Sequence, residues 1–251
     1  MVIGMASSLD ARCARCGATI APRGAPEGLC PSCLLAMALS ITDDLGQTPD
    51  DVTGSLPYQI VTLLGGGPHD VTYLAQTVPG TGRYVALKIL GARTDVSDIL
   101  SRYRQLRPAL ARLRHPHLSP LVDAGPAGPN QIYIASEYVT GAPLVLFSGR
   151  PTATPRDRLA IAHQVVAAVA AAHACGIAHA KLDRTRVKVT DSNGVVATVL
   201  GFGTSLIVDG PRSVDVDLPA LVQIVRDLGI PLGDQAYPSA DAIRDVLRTL
   251  A

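Results

Sequence analysis

Two hydrophobic rhythms divide this chain. Between residues 58 and 139 apolar side chains recur at alternate positions in short runs, and from residue 156 they recur at every third or fourth position. Alternation suits a half-buried strand, and the longer spacing suits a helix with one buried face. "YQIVTLLGGG" runs as a strand into glycines, and "VTYLAQT" (71–77) alternates as a second. "RYVALKIL" (83–90) is a third, with Val85, Leu87 and Ile89 on one face and Lys88 on the other. Residues 95–114 read as a helix stopped by "HP" at 115–116, and "PLVDAG" and "QIYIASEYV" are two more strands.

The second rhythm opens on 156–175, an apolar stripe of Leu159, Ala162, Val165, Val166, Val169 and Ala172. Two short strands follow, 186–190 and 195–201, joined by the turn "DSNG". Residues 217–229 read as a helix with Asp217 as N-cap, Pro219 in the first turn and Gly229 as the stop. A last helix, 238–250, opens at Pro238 or Ser239. The sum is an α+β chain: a small antiparallel sheet lobe, then a helical lobe, with a cleft between them. An apolar content of 47% is ample for such a core, and a net charge of +1 gives no case for a nucleic-acid or membrane-surface binder.

Ahead of this domain stand Cys13-x2-Cys16 and Cys30-x2-Cys33. Two such pairs supply four sulfurs, a tetrahedral Zn2+ shell with no open position, so the metal is expected to be structural. Disulfides and a lone redox pair are the competing readings. A reducing cytoplasm disfavours the first and the paired spacing disfavours the second. The expected organisation is a four-cysteine module over 1–41, an acidic Pro/Gly/Asp linker over 42–57, and the main domain over 58–251. A short helix over 31–40 would carry Leu34, Leu35 and Leu39 for docking on a neighbouring domain. No run is long and apolar enough to span a membrane, and "MVIGMASSLDAR" lacks a basic start followed by an apolar stretch, so a cytoplasmic location is expected.

Five ordered motifs carry a family resemblance. "LLGGGPHDVTYLA" looks like a phosphate-binding glycine loop, and "VALK" follows at the distance of a third-strand lysine motif. "IYIASEYVTGAPL" looks like a hinge, with Ser136 as gatekeeper and Glu137 to Val139 as the hinge backbone. "AAHACGIAHAKLD" resembles a catalytic loop and "VLGFGTS" a metal-binding triplet. Over about 58–250 the chain thus resembles the eukaryotic-type serine/threonine protein kinases of bacteria, and the cysteine module before it looks like a zinc ribbon. The resemblance implies a bilobal kinase-like fold with a shortened helical lobe. It places Gly65, Gly67, Lys88, Glu137 and Val139 at nucleotide-binding positions and His179 at the family's structural loop histidine.

The same resemblance puts unsuitable residues at the catalytic positions. The helix glutamate that pairs with the strand lysine falls on Leu106. The catalytic aspartate falls on Lys181, whose ammonium has no lone pair to accept a proton. The metal-binding asparagine falls on Arg186, the triplet's aspartate on Gly201, and the third loop glycine on Asp70, which would face phosphate oxygens. The family's Asp-x-Lys order is inverted to Lys181-x-Asp183, and a local ion pair is one reading of that inversion. Eleven residues separate Gly203 from Asp215, too few for a usual activation segment. The expectation is a catalytically inactive homologue that regulates or scaffolds through protein contacts, with an active kinase as partner. Mg2+ is not expected, and ATP binding is left open. The alternatives are an atypical kinase or metal-independent ATP binder using Lys88, and a ribbon-driven nucleic-acid binder.

Overall fold

The structure is a computed structural model that describes residues 11–12, 19–20, 56–67, 70–78, 82–91, 95–128, 130–148, 153–191 and 194–250. Strands β1 (Ala11–Arg12) and β2 (Thr19–Ile20) pair antiparallel, with Arg12 opposite Thr19. They flank in sequence the segment holding Cys13 and Cys16. All four module cysteines, the helix read at 31–40 and the linker as far as residue 55 lie outside the described residues.

The sheet lobe is built as the alternation requires. β3 (Tyr58–Gly67), β4 (Asp70–Thr77), β5 (Tyr84–Gly91), β6 (Leu121–Gly128) and β7 (Gln131–Glu137) form one antiparallel sheet in the order β3-β4-β5-β7-β6. On β5 the odd side chains Val85, Leu87 and Ile89 are buried with Ala75, Ala135 and Tyr133 on one face. The even ones, Ala86, Lys88 and Leu90, turn to the cleft. Helix α1 (Val96–Arg112) is capped by Asp95, which accepts from the Ser97 N–H, and lays Ile99 and Tyr103 against Ile132 and Ile134 of β7.

The helical lobe is organised around α3 (Pro155–Ala174), which starts with a full capping box between Thr154 and Asp157. Its sequence stripe understates its burial. Ala168 and Ala170 are buried along with every predicted position but Leu159, which is partly buried, so small side chains let neighbours close in on most of its circumference. A short β8 (Ala142–Pro143) and the helix α2 (Leu144–Ser148) precede it. β9 (Val187–Thr190) pairs with both β8 and β10 (Val196–Val199). Helices α4 (Thr204–Val208), α5 (Leu218–Asp227) and α6 (Ala240–Arg248) complete the described chain, the last capped by Ser239 as expected. No helix among the described residues is long and apolar enough to cross a membrane.

Asp217 stands at the N-cap position of α5, as the sequence suggests, but its side chain does not cap the helix. It makes no capping hydrogen bond to α5, and its carboxylate is turned inward and is almost wholly buried. Oδ2 accepts from the His179 N–H at 2.7 Å and from His173 Nε2 at 2.9 Å, and Oδ1 accepts from the Ala180 N–H at 2.7 Å. Burial alone would push this carboxyl up. The His173 ring and the two N–H donors outweigh burial and hold it below the usual carboxylate range. Ala180 needs that clamp: its φ of 62° lies in the left-handed region that L side chains avoid. Asp217→Ala would orphan three donors and is expected to cost about 3–5 kcal/mol. Asp245→Ala, which removes an exposed pair with Arg248, is expected to cost under ~0.5 kcal/mol. Urea unfolding of the two variants reads the contrast, and equal midpoints would refute the clamp.

Candidate functional site: the interlobe cleft

The lobes enclose a cleft of about 270 Å³. Lys88 projects into it from the cleft face of β5. The strand register puts Thr72 opposite Lys88 and Asp70 opposite Leu90, so Asp70 is the diagonal neighbour of Lys88 on that face. The lysine Nζ donates to Asp70 Oδ2 at 2.6 Å. Asp70 therefore does not stand free toward an incoming phosphate, as the sequence reading has it. It pairs with the strand lysine. Leu106, at the helix-glutamate position, packs instead against the apolar clusters of both lobes.

Lys181 and Asp183, two residues apart, do not form the local ion pair. Lys181 Nζ lies 2.7 Å from Asp209 Oδ2, just beyond α4. Asp183 is engaged by its own backbone: its Oδ1 accepts from the Thr185 N–H at 2.6 Å and the Arg186 N–H at 3.2 Å, capping the single turn 184–186. That carboxyl is pushed up by burial, but the Thr185 hydroxyl and N–H and the Arg186 charge and N–H more than offset this and leave it lowered. These bonds all fall on Oδ1 and hold the carboxylate to its own turn, while Lys181 reaches Asp209 instead.

Arg186 lines the cleft, and its Nε is buried with no hydrogen-bond partner. Gly201, beside it, holds φ +86°, a left-handed conformation in which an aspartate would be strained. His179 is buried. Its Nδ1 accepts from the Lys181 N–H at 3.2 Å, its Nε2–H donates to the Leu200 carbonyl at 2.8 Å, and its ring stands edge-on to Phe202 at 5.0 Å. That pattern fits a neutral ring, and burial pushes its pKa below the usual range. The end of the cleft beyond Gly201 is lined by Thr204, Ser205 and Val208 of α4. Arg102 of α1 pins that helix by donating to the Val208 carbonyl at 3.0 Å.

At the hinge, the Glu137 side chain pairs with Arg83 at 2.5 Å, and its carbonyl accepts from the Ser119 hydroxyl at 2.7 Å. The Val139 carbonyl accepts from Lys188 Nζ at 3.0 Å. Gly65 and Gly67 end β3 at the mouth of the β3–β4 hairpin, whose tip, with His69, lies outside the described residues. Sequence reasoning misses three participants here: Asp209, Ser119 and Lys188. Only Lys188 leaves a signal, since it is one of just three lysines in the chain. Among the described residues, no group of three or more His, Cys, Asp or Glu is placed to hold a metal ion.

No family model matches the sequence. Similar curated proteins include several bacterial serine/threonine-protein kinases. The chain is 30% identical to PrkC of Bacillus subtilis over 153 residues, 59% of this chain and 23% of that protein. It is 30% identical to PknD of Mycobacterium tuberculosis over 157 residues, 62% of this chain and 23% of that one. With pkn3 of Myxococcus xanthus the identity is 30% over 192 residues, 74% of this chain and 33% of the other. The chain thus spans about a quarter to a third of the length of these relatives. Among solved structures, Rad53 residues 1–466 in complex with AMP-PNP matches with a TM-score of 0.56 at 21% identity, covering 75% of this chain and 53% of that one. The fold is the bilobal protein-kinase fold, and the homologues include bacterial serine/threonine protein kinases.

His179 carries a pH dependence. A buried neutral ring takes a proton less readily than the same ring in the unfolded chain. Below about pH 6.5 the unfolded state therefore binds more protons, and stability falls. Asp217 and Asp183, lowered in the folded chain, add a second loss below about pH 4. The urea midpoint is expected to be flat above neutrality and to drop between pH 6.5 and 5. A midpoint constant across that range would contradict the neutral buried ring.

Proposed function

We propose that this homologue of bacterial serine/threonine protein kinases is a pseudokinase. It transfers no phosphate and acts as a regulatory or scaffolding protein in the cytoplasm, with an active kinase as its partner. The observation that supports this most is the charge at the three chemical positions: Lys181, Arg186 and Gly201 stand where phosphoryl transfer requires a carboxylate base, an amide ligand and a carboxylate ligand. Mg2+ takes hard oxygen ligands in a tight octahedron, and these residues present it with two cations and a bare backbone. The one carboxylate lining that space, Asp70, is engaged by Lys88, and Asp209 just outside it by Lys181. General base catalysis contributes about 10²–10⁴-fold, and the metal's electrostatic stabilisation of the transition state is lost on top of it.

The partner reading draws on apolar side chains left in solvent. Val145 and Leu146 of α2 are 39% and 63% exposed, and Val216 is 48% exposed. Ahead of the kinase-like domain, Cys13, Cys16, Cys30 and Cys33 would hold one structural Zn2+ by the thiolate chemistry their spacing supplies.

Three outcomes are expected. Transfer of labelled phosphate from ATP, with Mg2+ or Mn2+, to general acceptors or to the chain itself is indistinguishable between the wild type and Lys88→Ala. Transfer in the wild type that Lys88→Ala abolishes would overturn the reading. A stable complex with an active serine/threonine kinase domain is seen by light scattering, and loss of it is expected for Leu146→Glu. A strictly solitary chain would refute the partner. Metal analysis finds one Zn2+ per chain, lost in Cys13→Ser; a metal-free wild type would refute the zinc module.

A further inference from the structure

The chain contains only three lysines, Lys88, Lys181 and Lys188, and all three lie at this cleft or its hinge. Each is engaged by an internal oxygen: Asp70 at 2.6 Å, Asp209 at 2.7 Å and the Val139 carbonyl at 3.0 Å. The first two pairs are ionic and lie at the phosphate and catalytic ends. The third is of a different kind, because it consumes hinge backbone.

Lys188 is placed by β9. Its neighbours Val187 and Val189 are buried in the helical core, so the alternation turns Lys188 to the opposite side, toward the hinge. The register with β8 sets it opposite Pro143. From there Nζ reaches the Val139 carbonyl and sits 5.4 Å from the centre of the Tyr138 ring, within cation–π range. The side chain is half-buried, and burial lowers its pKa. The cleft reaches Ala86 and Ser136 on the hinge side, while Glu137, Tyr138 and Val139 are not among its lining residues. What is left, about 270 Å³, falls just under the ~300–1,000 Å³ typical of small-molecule sites. A second hinge acceptor, the Glu137 carbonyl, already takes the Ser119 hydroxyl.

We propose that Lys188 is an internal plug that occupies the hinge end of the cleft, holding the Val139 carbonyl and the Tyr138 side, so that a purine base is excluded. The proposal rests on reading this cleft as a kinase-type cleft, but it concerns recognition of the base and not the chemistry of transfer. A plugged hinge makes the chain blind to nucleosides even where the phosphate end keeps its cations. Opening it requires only that the ammonium be replaced by an apolar side chain of similar length.

The experiment uses adenosine, which carries no phosphate and so does not report on Lys88, Lys181 or Arg186. Thermal unfolding of the full chain is followed with and without millimolar adenosine for the wild type, Lys188→Met and Lys188→Ala. The wild-type Tm is expected not to move, and that of Lys188→Met is expected to rise by about 3 °C near saturation. A shift in the wild type equal to that of the variants would overturn the plug. So would two folded variants that stay unresponsive. If neither variant folds, amine-reactive labelling of the wild type decides: Lys188 is expected to react more slowly than the exposed Lys181, and equal rates would overturn the proposal. A wild type that binds adenosine yet transfers no phosphate would sink the plug and leave the pseudokinase reading standing. A wild type that transfers phosphate would sink the pseudokinase reading itself.

Discussion

One buried carboxylate sets the geometry of the cleft. Asp217 receives the N–H groups of His179 and Ala180 and the ring of His173, and so fixes the loop between α3 and β9 from beneath. Because that loop is fixed, His179 can bridge to the Leu200 carbonyl and stand against Phe202. The same fixing directs Lys181 toward Asp209. A fully buried anion is tolerated only where several donors converge on it, and here three do. The loop is therefore held by donors and an acceptor of this chain's own, and two of the side chains it displays toward the cleft, Lys181 and Arg186, are cationic.

The two lysines of the cleft are not left uncompensated. In a kinase the strand lysine pairs with a glutamate on the lobe's helix, which ties the helix position to the charge state of the site. Here Asp70, on the same sheet as Lys88, supplies that counter-charge, and no charge on α1 is needed. Helix α1 is held by Ile99 and Tyr103 against the sheet, by Leu106 and Leu110 against the apolar clusters, and by Arg102 on the last turn of α4. Apolar packing has no charge to respond to a ligand. The helix is thus not tied to Lys88 by an ion pair, and its polar link to the cleft runs through Arg102 and α4 instead.

Much of this fold was legible because burial imposes a period. Val85, Leu87 and Ile89 fall on one face of β5 with Lys88 on the other, and the break before His115-Pro116 ends α1, as alternation and proline sterics require. Motif spacing likewise brought Lys88, Lys181, Arg186 and Gly201 to one cleft. Which partner each charge chooses was not legible, because partners come from register and distant turns. Asp70 meets Lys88 through a diagonal across two strands, and Asp209 meets Lys181 across 28 positions of sequence. Asp183 looked like a partner for Lys181 and instead caps its own turn, and Asp217 stands at the N-cap position while its carboxylate serves as a hub. The short helices α2 and α4 lack the length over which a helical period can be read.

The segment after Gly203 carries a constraint separate from the chemistry. Residues 204–214 must connect the end of β10 to the turn before α5, and five of them are wound into α4. A helix advances only about 1.5 Å per residue, less than half the reach of extended chain. Within α4, Leu206 packs into the helical lobe and the adjacent Ile207 against Ile99 and Tyr103, so one turn of helix is anchored to both. An extended strip on which a peptide could lie needs backbone that is long, exposed and free of such anchors, and none of the described residues in this segment has all three properties. The same short helix that buries Leu206 and Ile207 turns Thr204, Ser205 and Val208 to wall the cleft beyond Gly201, so anchoring this segment and closing that end of the site are one structural event.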